Sequence, residues 1–252
     1  MHSATFDSDG VRLHYVVSGE GKPIVLVHGF AASLEYNWIR PGWFETLAPL
    51  RSVVALDCRG HGESEKPHES SGYGWEAMAD DVVRLMDHLE IERADLFGYS
   101  MGAAISLRAL LRHPGRFDSA ILGGIGDVLV TRGGRPELAA GLLADDPAMI
   151  TDPVAKGFRV FAEATQADLQ ALAALQQAPR TPIDPASLAE LRLPVLVVVG
   201  EDDALAGSVD GLVAAIPGAR LVKVPDREHL TVVGDQRFKD AVVQFLTVST
   251  PA

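Results

Sequence analysis

The chain has 252 residues, of which 47% are hydrophobic and 22% charged, so it can bury a sizeable core and general disorder is not expected. Its 34 acidic and 22 basic side chains give a formal net charge of −12, which repels phosphate backbones and anionic lipid headgroups and so disfavours nucleic-acid and membrane partners. Cys58 is the only cysteine, which excludes an intrachain disulfide and a cysteine-rich metal site.

The first residues contain neither a basic start nor an apolar run, so we predict no signal peptide. No apolar stretch approaches the ~20 residues that a membrane span requires. We therefore expect a cytoplasmic protein. No Pro/Gly/Ser-rich or highly charged stretch divides the sequence, which favours one large domain with an insertion over two equal domains.

Short apolar runs that suit β-strands recur along the chain. Residues 24–27 and 53–56 are uniformly apolar, as strands covered on both faces of a sheet must be. Residues 11–17 mix apolar and polar side chains, which indicates a half-exposed strand. The predicted strands are 11–17, 24–27, 53–56, 94–97, 120–122, 194–199 and 219–224, the last of them at an edge.

Helical patterns separate these runs. Residues 75–89 and 235–246 place apolar side chains on one face, so both helices should pack on the sheet. A third helix, 102–113, stops before Pro114, which cannot continue it. Apolar strands alternating with amphipathic helices predict an α/β fold with a mostly parallel, doubly wound sheet of about eight strands.

One stretch breaks this alternation. From Asp127 to about Glu190 there is no strand-like run, only helical patterns separated by prolines. We interpret residues 127–185 as a helical insertion after the sixth strand, with residues 1–126 and 186–252 as the core domain. Extra surface helices are one explanation, but we favour a lid over the carboxyl ends of the strands, where open α/β sheets place their ligands. The apolar side chains that exceed the needs of thin surface helices are Leu142, Leu143, Met149, Phe158, Phe161, Leu169 and Leu172.

Residues 98–102 have the form G-x-S-x-G, with Ser100 at the centre. A predicted strand precedes the motif and a predicted helix follows it. A serine at such a junction adopts a strained backbone conformation that lifts its hydroxyl clear of the sheet. Side chains at 98 and 102 would collide with their surroundings, which explains both glycines. We favour a nucleophile at Ser100 over a serine N-cap between packing glycines.

A serine hydroxyl needs a base to take its proton. Of the eight histidines, His229 is the best placed, since it lies between the last predicted strand and the closing helix. His28, His61 and His113 have structural explanations, in a strand-end turn, a glycine-flanked loop and a helix C-terminus. The four expected to face solvent are His2, His14, His68 and His88.

A carboxylate must hold the imidazole in one tautomer. Glu201, Asp202 and Asp203 follow the buried strand 195–199, where a side chain can reach the loop of His229. Spacing alone does not choose among the three acids.

An anion that forms at the attacked carbonyl needs two N–H donors. The N–H of Met101, at the start of the helix after Ser100, is one candidate, and the N–H of Phe30, after the strand 24–27, is the other. His28 and Gly29 would form a tight turn in either case.

With these residues the sequence resembles the α/β-hydrolase fold superfamily over nearly the whole chain. The matching features are His28-Gly29-Phe30, the D-x-R-G-x-G-x-S loop at 57–64, the turn at Ser100, the strand exit 200–203 and His229. In relatives with a G-x-x-D strand exit the acid is the third residue after the glycine. The resemblance therefore implies Asp203, with Asp202 as the alternative, and a structural role for the 57–64 loop.

The resemblance also narrows the subclass. Haloalkane dehalogenases and epoxide hydrolases of this fold carry aspartate where this chain has Ser100. The serine therefore disfavours both of these activities. Lipases and esterases with several glycines in the oxyanion loop fit poorly, because Gly29 is followed by Phe30 and two alanines. Small esterases, thioesterases, lactonases, perhydrolases and carbon–carbon bond hydrolases remain.

We expect a serine hydrolase that cleaves a small carboxylic ester, thioester or lactone through an acyl-serine intermediate, with a small acyl compound as its partner and without cofactor or metal. Carbon–carbon cleavage and perhydrolysis would use the same triad, and a binding protein that retains the fold is the non-enzymatic alternative. An apolar acyl pocket or the core are alternative locations for Phe30, Tyr36, Trp38, Trp43, Tyr99 and the lid phenylalanines.

Overall fold

The computed structural model describes residues 1–127 and 135–248, and within them eight strands form one sheet. The spatial order of the strands is β1-β2-β4-β3-β5-β6-β7-β8. The pairs β1–β2 and β2–β4 are antiparallel and all others are parallel. The sheet is therefore mostly parallel, as the sequence predicted. The strands are β1 (His2–Ser8), β2 (Val11–Ser18), β3 (Pro23–Val27), β4 (Ser52–Leu56), β5 (Ala94–Tyr99), β6 (Phe117–Gly123), β7 (Val195–Gly200) and β8 (Arg220–Val224).

Helices connect the parallel strands and cover the sheet. The longer ones are amphipathic, and their apolar faces are buried against the strands, as in a doubly wound fold. They are α1 (Trp43–Leu47), α2 (Trp75–His88), α3 (Met101–Arg112), α4 (Pro136–Leu142), α5 (Pro153–Ala164), α6 (Leu169–Gln177), α7 (Pro185–Leu188), α8 (Asp210–Ala215), α9 (His229–Val232) and α10 (Gln236–Val248). Within the described residues, no helix combines the length and apolar character that crossing a membrane requires.

The uniform apolar runs are explained by two cores, one on each face of the sheet. On β3, Val25 and Val27 pack with α2 and α3, whereas Ile24 and Leu26 pack on the other side with α1 and α10. Since successive side chains of a strand point to opposite faces, both sets must be apolar. The central strands are therefore packed on both faces, and this packing fixes the position of the sheet edge at which they end.

Helices α4 to α7 occupy the chain between β6 and β7, where the sequence predicted an insertion. Residues 128–134 of the predicted lid (127–185) lie outside the described residues. Helix α4 contacts both α5 and α6. Asp152 and Asp184 start α5 and α7 by accepting hydrogen bonds from N–H groups of the first turn, each followed by a proline that suits the first helical position.

The apolar side chains of the insertion divide into two groups. Leu142 and Leu172 are buried, whereas Leu143 and Met149 are 49% and 75% exposed. Part of the apolar surface therefore serves packing among the insertion helices and against the sheet, and part of it faces outward.

Candidate active site

Ser100 lies between the last residue of β5 and the first of α3, with φ 54° and ψ −114°. Its N–H donates to the carbonyl of Gly123 on the neighbouring strand at 2.8 Å, which fixes the turn. A Cβ at Gly98 would overlap the carbonyl of Gly102, and a Cβ at Gly102 would overlap the carbonyl of Val27. The tight turn therefore requires glycine at both positions.

The structure brings Ser100, His229 and Asp203 together, although they are far apart in sequence. The Oγ of Ser100 is 2.9 Å from Nε2 of His229, and Nδ1 of His229 is 2.8 Å from Oδ2 of Asp203. All three residues are buried, with 8%, 6% and 6% of their surface exposed. This is the hydrogen-bond chain in which an imidazole accepts a serine proton while a carboxylate fixes its tautomer.

Of the three acids at the exit of β7, only Asp203 contacts His229. Its Oδ1 also accepts the N–H groups of Leu205 at 3.1 Å and Ala206 at 2.9 Å, so the carboxylate is held from two sides. Glu201 and Asp202 are exposed to solvent. Of the three acids that spacing left open, the geometry therefore favours Asp203 as the partner of His229.

Tyr99 anchors the backbone of His229. Its phenol hydroxyl donates to the carbonyl oxygen of His229, and the two rings lie 5.4 Å apart between centroids. Burial raises the pKa of Tyr99 well above its usual value, and the nearby carboxylate of Asp203 raises it further, so the phenol stays protonated and able to donate. The sequence left Tyr99 between an apolar acyl pocket and the core, and the structure places its ring in the core.

Phe30, Ser100 and Met101 line the wall of one cavity. Among the hydrogen bonds between described residues, none is donated by the N–H of Phe30 or of Met101. Both groups are therefore available to a ligand. The neighbouring N–H groups have partners: that of Gly29 donates to Oδ1 of Asn37 at 2.6 Å, and that of Ala31 donates to Nε2 of His61 at 3.2 Å.

Two buried histidines support this loop. Nε2 of His28 accepts the N–H of Cys58 at 3.0 Å, as Nε2 of His61 accepts that of Ala31. Burial lowers the pKa of His28, and burial together with the charge of His28 lowers that of His61 to about 3. Both rings are therefore neutral at pH 7, in agreement with the structural roles that the sequence indicated.

The prediction that His14 faces solvent is wrong. His14 is only 5% exposed, and its Nδ1 lies 2.8 Å from Oδ2 of Asp57. That hydrogen bond raises the pKa of His14. Exposed and buried residues do not alternate along β2, because one face of the strand carries this buried His14–Asp57 pair. A polar residue in this strand therefore did not mark the face exposed to solvent.

The cavity beside Ser100 has a void of about 510 Å³ including its mouth. It is lined from both the core and the insertion, since Leu138, Phe158 and Gln176 come from α4, α5 and α6. Phe30 and Phe158 line it, whereas Trp38 and Trp43 belong to the core under the sheet. The lining residues that sequence reasoning missed are Trp75, Arg135, Leu138, Gln176, Arg180 and Leu205.

The insertion also holds the loop of Phe30 directly. The hydroxyl of Thr165, after α5, donates to the carbonyl of Ala31 at 2.9 Å. The rings of Phe158 and Phe30 meet edge to face, with 5.3 Å between their centroids.

The described residues contain no group of three His, Cys, Asp or Glu side chains placed to hold a metal ion.

A family model described as the alpha/beta hydrolase fold matches residues 22–185. The chain belongs to the α/β hydrolase fold family. Two solved members resemble this α/β hydrolase over nearly its full length. An enol-lactonase from Burkholderia xenovorans LB400 has 27% identity and a TM-score of 0.81, covering 97% of this chain and 100% of the other. A hydrolase from Pseudomonas aeruginosa PA01 has 27% identity and a TM-score of 0.80, covering 97% and 98%.

A curated relative of this α/β hydrolase matches over a shorter segment. The 2-hydroxymuconate semialdehyde hydrolase of Pseudomonas sp. (strain CF600) is 37% identical over 119 residues, which cover 46% of this chain and 40% of the relative. The chain spans less than half the length of the curated relatives it matches most strongly.

Proposed function

We propose that this protein is a serine hydrolase that cleaves a small carboxylic ester, thioester or lactone by two-step acyl transfer. The observation that carries the proposal is the hydrogen-bond chain from Asp203 through His229 to Ser100, which ends at the wall of a cavity shared with the insertion helices. A nucleophile, its base and the group that orients the base are thus in contact.

In the first step, His229 accepts the proton of Ser100 while the serine Oγ attacks the carbonyl carbon. The carbonyl oxygen becomes an oxyanion, which the N–H groups of Phe30 and Met101 stabilise. The protonated imidazole then gives its proton to the leaving oxygen, and the acyl group remains on the serine. In the second step a water loses its proton to His229 and attacks the acyl carbon. The bond between that carbon and Oγ then breaks, Oγ takes the proton from His229, and the acid is released.

The cavity walls suit an acyl compound of modest size. Phe30, Met101 and Phe158 supply apolar surface beside Ser100, as small-molecule sites generally do. The full-length likeness to an enol-lactonase supports hydrolysis of a carbon–oxygen acyl bond. The shorter match to a 2-hydroxymuconate semialdehyde hydrolase keeps carbon–carbon cleavage as the second candidate for the same triad.

Replacing Ser100 tests the proposal directly. Ser100→Ala should lower kcat for p-nitrophenyl acetate by a factor on the order of 10³ or more, since the remaining oxyanion donors cannot replace the nucleophile. A fluorophosphonate probe should label the wild-type protein at Ser100 and leave the variant unlabelled. Ser106→Ala, which removes a buried hydroxyl in the helix that follows Ser100, is the matched control and should retain labelling. An active, labelled Ser100→Ala protein would exclude the proposed nucleophile.

A further inference from the structure

The cavity next to Ser100 is not uniformly apolar, because one part of its wall is strongly basic. Arg135 and Arg180 both line it, together with Gln176 and Trp75. Arg108 lies close by, since its guanidinium carbon is 4.8 Å from the centre of the Trp75 ring and that of Arg180 is 5.0 Å from the same centre. Two guanidinium groups therefore lie against one tryptophan beside the candidate nucleophile, and a third, that of Arg135, lines the same cavity.

No ion pair of the described residues neutralises this cluster, and Glu76 acts on Arg108 only beyond ion-pair distance. Within the described residues, no Asp or Glu carboxylate lies at ion-pair distance from Arg108, Arg135 or Arg180. Arg180 has a single side-chain partner, the amide oxygen of Gln176 at 2.7 Å from Nη2, and its Nε is buried without any hydrogen-bond partner in the part of the chain that the structure describes. Burial and the charges of the neighbouring Arg108 and Arg135 together lower the pKa of Arg180 to about 10, so the group is still charged at pH 7.

Two arginines that are more deeply buried than the half-buried Arg180 are paired differently. Arg59 makes two parallel hydrogen bonds to Asp81, at 2.8 and 2.7 Å. Arg51 donates to the buried carboxylate of Asp95 at 3.0 Å. Burying a cation is unfavourable unless an anion and hydrogen bonds compensate it, and these two sites supply both. At Arg180 no carboxylate of the described residues compensates the positive charge.

We propose that the substrate carries a carboxylate, separate from the bond that is cleaved, and that Arg180 binds this carboxylate at the wall of the cavity next to Ser100. This inference rests on the proposed hydrolase function and names its substrate class: half-esters or lactones of acids with a second carboxylate. A guanidinium presents a planar pair of N–H donors that matches a carboxylate, and here Nε is free to form one of the two bonds.

The position of the two groups sets the size of the substrate. Ser100 and Arg180 line the same cavity, so one small molecule can present its carbonyl to Ser100 and its carboxylate to Arg180. Trp75 and Phe158 supply apolar surface to the same void. Arg135 adds a second positive charge, which favours the anionic substrate over its neutral analogue although the whole protein has a net charge of −12.

The test uses two pairs of substrates that differ only by a methyl cap on the carboxylate. In mono-4-nitrophenyl adipate and its methyl ester the carboxylate is on the acyl side; in 4-acetoxybenzoate and its methyl ester it is on the alcohol side. We expect the wild-type protein to prefer the free acid by at least tenfold in kcat/KM in one pair. Arg180→Gln should abolish that preference by lowering kcat/KM for the free acid more than for its capped ester.

Two further variants guard against a loss of folding or a general charge effect. Arg180→Lys retains the charge without the planar fork and should retain only part of the preference. Arg40→Gln is the matched control, because Arg40 also stacks on an aromatic ring, that of Tyr36 at 4.2 Å, but is exposed and far from the cavity wall. It should leave the preference unchanged.

The failure of this inference can be told from the failure of the proposed function. Hydrolysis of capped esters that depends on Ser100, with no preference for the free acid in either pair, would overturn the carboxylate site alone. A preference that survives in Arg180→Gln would also overturn it. As a readout without turnover, adipate should raise the Tm of the Ser100→Ala protein, and dimethyl adipate should not. No shift with adipate would count against the site even if no ester were hydrolysed.

Discussion

Ser100 adopts a backbone conformation with positive φ that side-chain-bearing residues rarely occupy. Such a conformation costs on the order of 1–3 kcal/mol and persists only where the surroundings impose it. Here the strand before Ser100, the helix after it and the hydrogen bond from its N–H to Gly123 impose it. The strain places the hydroxyl at the end of the sheet, where it reaches His229.

At the residue scale, the first prediction compares two adjacent acids. Asp203→Asn removes the carboxylate that holds Nδ1 of His229, whereas Asp202→Asn changes an exposed side chain. By analogy with protease triads, we expect Asp203→Asn to lower kcat for an aryl ester by about 10⁴. Asp202→Asn is the matched control and should stay within about twofold of wild type, because a surface substitution leaves the imidazole untouched.

Circular dichroism of both proteins would verify that they fold. A larger loss of kcat in Asp202→Asn than in Asp203→Asn would contradict the proposed role of Asp203.

At the scale of elements, the strands that could be predicted are those with both faces covered. β3 and β4 are continuously apolar because each packs against two cores, and their positions follow from the sequence. β1 was not predicted, since its residues are mostly exposed at the edge of the sheet and it lacks an apolar run. Its pairing with β2 depends on backbone hydrogen bonds, which leave little trace in composition.

In the same way, part of the candidate site could be predicted from the sequence and part could not. Ser100 and the acids after β7 follow strand ends, and parallel strands bring those ends to one edge of the sheet, so their meeting could be predicted. Arg180 and Gln176 could not be, because they come from an insertion whose helices are placed by packing between distant segments. The prediction that His14 is exposed was wrong for a related reason, because its buried partner Asp57 lies 43 residues away in the sequence.

The second prediction concerns the loop that carries Phe30, which His61 holds through the N–H of Ala31. The pKa of His61 is about 3 in the folded protein, below its ordinary value of 6.5. Between those values the unfolded chain binds more protons than the folded one, so the free energy of unfolding falls as the pH falls. His61 contributes up to about 1.4 kcal/mol per pH unit to this slope.

His61→Gln should therefore have a shallower decline of the free energy of unfolding between pH 6.5 and pH 4 than the wild-type protein has, measured by urea denaturation at several pH values. Its control is His2→Gln, which replaces an exposed imidazole and should leave the slope as it is. Parallel slopes for wild type and His61→Gln would mean that the buried ring is not what limits stability in acid.

At the scale of the whole molecule, the two ends of the sheet have separate tasks. The carboxyl ends of β5 and β7 carry Ser100 and Asp203. At the opposite end, the buried carboxylate of Asp95 accepts hydrogen bonds from Lys22 at 3.0 Å, Arg51 at 3.0 Å and Ser119 at 2.7 Å. These partners stand at the starts of β3, β4 and β6, so one carboxylate ties together the central strands.

The third prediction follows from that separation. Asp95→Ala takes the carboxylate away from two cations and a hydroxyl, and breaking a buried ion pair of this kind costs about 3–5 kcal/mol of unfolding free energy. The length of the sheet separates Asp95 from the cavity, so kcat/KM for an aryl ester, measured well below the Tm, should stay within about twofold of wild type. Asp118→Ala is the matched control, because Asp118 also pairs with Lys22, at 3.3 Å, but its side chain is 28% exposed and such pairs contribute only about 0–1 kcal/mol. A large loss of activity in Asp95→Ala with unchanged stability would mean that the network acts on the site rather than on the fold.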